Sequence, residues 1–257
     1  MNTKKFSDAL SQIDNKYIDE AINYKKNKKI TWIKFGTVAA CFAVVVTAVS
    51  VLPNVTPDKP KNRFGLSDNS YNVTIFYNEK APNISTEKSL LCSYTEEELF
   101  TVFDTHIFKG KILSLDNIEI DFNGQKMYRA IAQIKIEKVY RGSCDKGDTV
   151  SVMLPCPITE GVWVEDTDTV CAMKEGMTGI FMPIFYTEEN SFLEYNNARL
   201  VQKDIADYGF PDGMRYAFLE TEDGLIFDRY SYETISDAKT LDEVEEYIQT
   251  MLEKLSE

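Results

Sequence analysis

The chain has 257 residues and a mass of 29.4 kDa, enough for one well-packed domain with additions or for two small ones. Hydrophobic residues make up 44% and charged residues 27%, a balance that excludes wholesale disorder. With 28 Lys and Arg against 41 Asp and Glu the net charge is −13, which argues against nucleic acid as a partner, because phosphates repel an acidic surface.

In chain order, Phe6, Leu10, Ile13, Tyr17, Ala21 and Tyr24 recur at spacings of four and three. That is one face of an amphipathic helix within residues 1–29. An isolated helix of this length is marginal in water, so its stripe needs a partner. Three are open: membrane lipid of the inner leaflet, to which the Lys25–Lys29 cluster is suited, a cytosolic protein, or a second copy.

Phe35 to Leu52 are 18 consecutive residues without a charge. Extended back to Ile30, the segment 30–52 is long enough to cross a bilayer core of roughly 30 Å as a helix. Trp32 falls where an interfacial aromatic belongs, Lys34 can reach back to the headgroups, and Pro53 and Pro57 end the run. A buried core helix would show a polar stripe, and this run has none. Residues 1–34 hold eight Lys against Asp8, Asp14, Asp19 and Glu20, a net of +4; with −13 overall, the rest carries −17. The positive-inside rule therefore predicts a single-pass protein of the cell membrane, with the N-terminus in the cytoplasm and residues 53–257 outside. Two weaker alternatives stay open. One is a signal peptide cleaved near Ala48-Val49-Ser50. The other is a lipid anchor on Cys41 after Val38-Ala39-Ala40.

The stretch FSDALSQIDNKYIDEA, the lysines after it, and WIKFGTVAAC resemble the leader of single-span Firmicutes membrane proteins, several of which are similar to anti-sigma factors or their accessory proteins. The resemblance covers residues 4–41. It implies the topology above and a sigma factor as the cytosolic partner of the Phe6–Tyr24 stripe. Residues 1–29 contain no His or Cys, so the zinc-dependent variety of that family is not implied.

Residues 53–91, with Pro53, Pro57, Pro60 and Pro82, read as an extracytoplasmic linker in which VTIFY (73–77) is a short strand able to join a later sheet. The sequons at Asn54, Asn72 and Asn83 read as coincidence in an Asn-rich bacterial chain. Residues 92–234 read as a β-rich domain. Thr95 and Glu98 form a capping box for a helix over 96–104. A strand covers 106–115. Asn123-Gly124 turns a hairpin between 118–122 and a long strand, 126–140, in which a bulge is expected. Further strands are expected at 149–154, 178–184, 192–195, 216–220 and 225–230. Residues 235–257 supply a C-terminal helix, 241–255, capped by Thr240 and Glu243, with Leu241, Val244, Ile248, Met251 and Leu255 on one face. The fold class is thus mainly β: one transmembrane helix plus an extracytoplasmic barrel or sandwich with a C-terminal helix. The series FKGKILSL, EKVYRGS, KGDTVSVML and KEGMTGIFMPI, over residues 100–200, is similar to OB-fold-like modules of the netrin and metalloproteinase-inhibitor type. That implies an OB-like barrel and leaves function open.

Cys92, Cys144, Cys156 and Cys171 follow the apolar run, in a compartment that permits disulfides. Four cysteines allow three pairings and the sequence does not choose among them. A Cys156–Cys171 disulfide is one option and would close a loop over Trp163 and the acidic run 165–168, while free, partly buried thiols are the first expectation. No CxxC occurs. His106, the only histidine, reads as structural, with no Gly-x-Ser-x-Gly elbow to use it. Glu119-x-Asp121-x-Asn123-Gly124 imitates a calcium loop, but Ala130 stands where the bidentate Glu belongs. Glu165, Asp166 and Asp168 form a solvated loop or a loose calcium site. No catalytic, metal or cofactor residues are assigned and no cofactor is expected. The expected function is a non-enzymatic binding or sensing domain outside the membrane, with an unknown ligand and anti-sigma-like signalling inside. The alternatives are an anchored envelope hydrolase and a tethered protease inhibitor.

Overall fold

The computed structural model describes residues 64–78, 92–159, 164 and 166–256. All fall in the unit Pro60–Glu257. The Phe6–Tyr24 stripe, the segment 30–52, Trp163 and Glu165 lie outside the described residues, and no described helix is long and apolar enough to cross a membrane.

A long hairpin is the spine of the fold. Strand β2 (Ile107–Phe122) pairs antiparallel with β3 (Gln125–Arg141) along almost its whole length. The turn between them has Asn123 at φ 52° and Gly124 at φ 92°. Two successive positive φ values match the right-handed twist of the flanking strands, and Asn-Gly accepts them at low cost. The other edge of β2 carries two strands, β1 (Val73–Tyr77) along 118–122 and β5 (Thr178–Phe181) along 108–111. The stretch expected as a tether therefore contributes a strand, as VTIFY suggested.

Beyond β3 come β4 (Thr149–Leu154), then β9 (Tyr208–Gly209) parallel to it, then β6 (Ile184–Phe185). On the other side β5 pairs β10 (Ala217–Thr221), which pairs β11 (Gly224–Ile226). Strands β5 and β6 were expected as one. They part at Met182-Pro183, since a proline cannot donate to a ladder, and β6 turns to meet β9. A bridge from Thr105 to Ile184 joins this end to the start of β2. The sheet thus curls into a half-barrel. A separate hairpin, β7 (Phe192–Tyr195) and β8 (Ala198–Val201), turns on Asn196 and Asn197 at φ 49° and 58°.

Bulges decide which side chains go where. Ile112 pairs with Ile134 but Ser114 pairs with Gln133, so Leu113 is an extra residue in β2. Two further register shifts, at Ile107/Phe108 and Lys109/Gly110, insert extra residues on β3. A single inserted residue exchanges the two faces of a strand. Before Leu113 the even residues Phe108 and Ile112 enter one apolar cluster, with Ile134, Ile136, Val152 and Phe181. After it the even residues Ile118, Ile120 and Phe122 enter another, with Ile75, Ile131 and Leu200. One strand so feeds two cores without losing its ladder. Leu113 itself is exposed.

Among the described residues three α-helices complete the fold. Helix α1 (Glu96–Thr101) and helix α3 (Leu241–Lys254) both open on reciprocal capping boxes, Thr95 with Glu98 and Thr240 with Glu243. Helix α2 (Asp168–Cys171) is one turn. Leu241, Val244, Tyr247, Ile248 and Met251 of α3 bury the third cluster, against Phe100, Ile180, Phe218 and Tyr232. Strand β10 alternates between cores: Phe218 faces α3, while Ala217 and Leu219 face the half-barrel interior. A sheet covered on both faces needs apolar residues on both faces, which the run YAFL supplies.

Candidate functional site

Among the described residues chemistry-bearing side chains gather in three places, and Asp212 with Arg215 organises the first. Asp212 lies in the turn before β10. Its Oδ1 accepts from the backbone N–H groups of Met214 and Arg215, both at 2.9 Å. Its Oδ2 accepts from Arg215 Nε at 2.8 Å and lies 2.7 Å from Nη2. Both side chains are buried. Arg215 Nη1 donates to the Cys92 carbonyl at 2.7 Å, and the guanidinium lies 5.0 Å from the Tyr94 ring centroid. Burial works against the charge on Arg215, but the Asp212 carboxylate outweighs it and holds the guanidinium above its ordinary pKa. Outside this pair opens a cleft of about 480 Å³, lined by residues 92–96, Arg215, Asp228, Tyr230, Ser231 and Glu233. Tyr230 is 93% exposed at the cleft. Among the described residues the wall carries Glu96, Asp228 and Glu233, while the one cation among them, Arg215, already faces Asp212. Glu96 is held firmly: its carboxylate accepts from the Tyr247 hydroxyl at 2.6 Å and from Thr234 N–H at 2.7 Å. Burial pushes its pKa up, but these hydrogen bonds win and hold it below the ordinary carboxylate value. A cleft with this lining suits a cationic or hydroxyl-rich group flanked by aromatic rings.

The second place surrounds His106. Its ring stacks on Phe185, with centroids 5.3 Å apart and planes 4° from parallel, and meets Tyr208 edge-on. Nδ1 lies 3.1 Å from the Tyr208 hydroxyl, which also meets the Cys144 thiol. Gly142, at φ 116°, presses against the imidazole so closely that a Cβ would lie 2.4 Å from Cγ. Arg141 donates to the carbonyls of Thr105 and Phe100, fixing the backbone beside the ring. A cavity of about 340 Å³ lies in front, lined by residues 143–144, 148–150, Phe185, Asp207 and Tyr208. Burial lowers the His106 pKa and keeps the ring neutral, and burial raises the pKa values of Cys144 and Tyr208. The imidazole–phenol–thiol chain is therefore held neutral, with the thiol protonated and weak as a nucleophile. The His106 ring is thus packed against Phe185, Tyr208 and Gly142.

The third place is the cysteine pair. Cys156 is fully buried at the end of β4, between Pro155 and Pro157, and Cys171 closes α2. Their sulphurs lie 3.3 Å apart as free thiols. Thr167 Oγ1, 3.1 Å from Cys171 Sγ, also donates to the Val164 carbonyl. The structure thus brings these two thiols side by side without a bond between them. Cys92 and Cys144 stand elsewhere, by the Arg215 cleft and the His106 cavity.

Among the described residues no group of three His, Cys, Asp or Glu is placed to hold a metal ion. The hairpin reading of 119–124 is the observed one: Asp121 Oδ1 accepts from Gly124 N–H at 2.6 Å, and Glu119 pairs with Lys126. Sequence reasoning missed the Arg215–Asp212 pair. Its signal was a charged residue, Arg215, two positions before an apolar strand and three after a turn aspartate. Comparison with known families, with curated proteins and with solved structures finds no match for this chain.

Proposed function

We propose that the chain is a single-span bacterial membrane protein whose β domain lies outside the membrane and binds a ligand without transforming it. The observation that carries this reading is the Tyr94–Tyr230 cleft, of a volume suited to a small ligand or a peptide side chain. Its carboxylates and exposed ring favour a basic peptide segment. The setting rests on the uncharged run 35–52, with five lysines crowded before it and an acidic domain after it. The curled sheet supports an OB-like barrel as the finer description: β2, β3, β4 and β9 follow one another, and the β5–β6 segment touches both β9 and β2. On the cytoplasmic side, the stripe from Phe6 to Tyr24 would dock a sigma factor or another cytosolic protein.

The test uses the full chain in detergent and labelled peptides read by fluorescence anisotropy. A Lys/Arg-rich peptide should bind, an Asp/Glu-rich one should not, and Tyr230→Ala should weaken binding at least several-fold. Equal binding of both peptides, or an unaffected Tyr230→Ala, refutes the assignment of the cleft. Protease added to intact cells should digest the domain beyond Leu52; protection of that domain refutes the topology.

A further inference from the structure

The Cys156–Cys171 pair has a geometry that free buried thiols do not require. Cys156 sits between two prolines, directly after β4, so its backbone has little freedom. Cys171 is fixed from the opposite side. The backbone N–H of Val170 donates to the Gly213 carbonyl at 3.0 Å, and Thr169 Oγ1 donates to the Met214 carbonyl at 2.7 Å. Gly213 packs so tightly on this segment that a Cβ would lie 2.7 Å from Thr167 Cα. Two rigid supports therefore hold the sulphurs at 3.3 Å. A disulfide needs about 2.0 Å between them.

The two sulphurs are not equivalent. Cys156 is wholly buried in the half-barrel core, while Cys171 is only partly buried at its margin. Thr167 Oγ1 stands beside Cys171, and Cys156 approaches it from the other side. A negative sulphur at Cys171 would have the Cys156 thiol as its donor, since the one hydrogen of the Thr167 hydroxyl is given to the Val164 carbonyl. Consistent with this arrangement, the hydrogen bond from Cys156 draws the Cys171 pKa down, and donating that bond, together with burial, drives the Cys156 pKa up.

We propose that Cys156 and Cys171 form a thiol–disulfide exchange site that takes small-molecule or protein disulfides, with Cys171 as the attacking sulphur and Cys156 as the resolving one. The Cys171 thiolate attacks one sulphur of an oxidant R–S–S–R. The oxidant's S–S bond breaks, a Cys171–S–S–R bond forms, and R–S⁻ leaves. That thiolate takes up the proton Cys156 gives up. Cys156 then attacks the Cys171 sulphur, expels the second R–S⁻, and closes the intramolecular disulfide. Two electrons pass to the oxidant, which ends as two R–SH. The product ties the segment 157–170 to the end of β4. The exchange is a property of the folded domain and stands whether or not the Tyr94–Tyr230 cleft binds peptide.

The test incubates the reduced full chain, in detergent, with oxidised glutathione, followed by acid quench, alkylation and peptide mass analysis. The wild-type chain should yield a peptide linking Cys156 to Cys171, two hydrogens lighter than the sum of the free thiol forms. Cys156→Ser should trap a stable glutathione adduct on Cys171. Cys171→Ser should leave Cys156 free of adduct. Cys156→Ala, which places no hydroxyl in the core, repeats the trapping experiment in case the serine variant misfolds. Full alkylation of both cysteines in the oxidant-treated wild type overturns the site. An adduct on Cys156 in Cys171→Ser, with none on Cys171 in Cys156→Ser or Cys156→Ala, overturns the assigned order.

Discussion

Arg215→Met is the sharpest test of what holds the β10 end of the domain together. The side chains of Arg215 and Asp212 are 6% and 8% exposed, so removing the guanidinium leaves a carboxylate in the interior with two backbone N–H donors. Breaking a buried pair in this way costs about 3–5 kcal/mol. For a unit of this size each kcal/mol shifts Tm by about 2–4 °C, so the expected fall is on the order of 10 °C. Asp212→Asn keeps an acceptor for the turn but strands the guanidinium against the Cys92 carbonyl and the Tyr94 ring; its cost should be similar. The double variant removes both charges together, and its cost should fall short of the sum of the singles by about 2 kcal/mol or more. Thermal and urea unfolding of the full chain, followed by circular dichroism, read all three. An Arg215→Met cost under about 1 kcal/mol, or strict additivity, refutes the claim that the pair acts as a buried, mutually dependent unit.

Four other outcomes follow from the same packing. Phe218→Ala removes a fully buried ring in contact with Phe227 and Tyr232, at centroid distances of 5.4 and 4.9 Å, and should cost about 3–5 kcal/mol in urea unfolding. His106 has its pKa lowered from 6.5 in the folded state, so the unfolded chain binds its proton more readily. Stability from this residue is present above pH 6.5 and is lost as the pH falls through the folded value. As the only imidazole in the chain it gives a single titrating NMR signal, with a midpoint below 6.5 expected and one above it contradicting the burial argument. Glu96 and Glu245 have lowered pKa values, so their stabilisation is present above the ordinary value of 4.5 and fades as the pH falls through their folded values; Glu96→Gln should flatten the acid limb of a stability–pH curve. Gly142→Ala places a methyl group into His106 and forces φ 116° on a side chain; a lower Tm and a displaced imidazole signal are expected.

Sequence made much of this architecture legible, for reasons that can be named. Both capping boxes and the Asn-Gly hairpin are local devices, specified within four residues, and all three stand where expected. Strand 149–154 was bounded as observed because turn residues flank it. The strand expected at 225–230 stops at Ile226, because Asp228 bonds Tyr230 N–H and Ser231 Oγ and turns the chain. Strand β8 was missed although Asn196-Asn197 carried a signal: adjacent asparagines tolerate the paired positive φ values of a hairpin turn. Strand β9 had none, because two residues cannot show a period. It exists because β4 and β6 supply partners on both sides.

The bulge at Leu113 explains why the cores were harder to foresee than the strands. An alternating pattern predicts one inward face per strand, and from that rule residues 106–115 and 118–122 look like separate strands with separate allegiances. They are one strand, and its even-numbered residues change sides at the inserted leucine. The change is needed because the two ends of β2 face different neighbours, β5 at one end and β1 at the other. Deleting Leu113 tests this argument. The deletion restores unbroken alternation and would turn Ile118, Ile120 and Phe122 out of their cluster toward the half-barrel side. Three fully buried side chains would lose their packing. At about 1.5–3 kcal/mol for each such side chain returned to water, the loss of about 4.5–9 kcal/mol is comparable to the whole stability of a domain, about 5–15 kcal/mol. Substituting Leu113 with Ser keeps the inserted residue and changes only an exposed side chain, so its Tm should stay close to that of the unaltered chain. If the deletion melts no lower than the substitution, the inserted residue does not set the register, and the two-core reading of β2 fails.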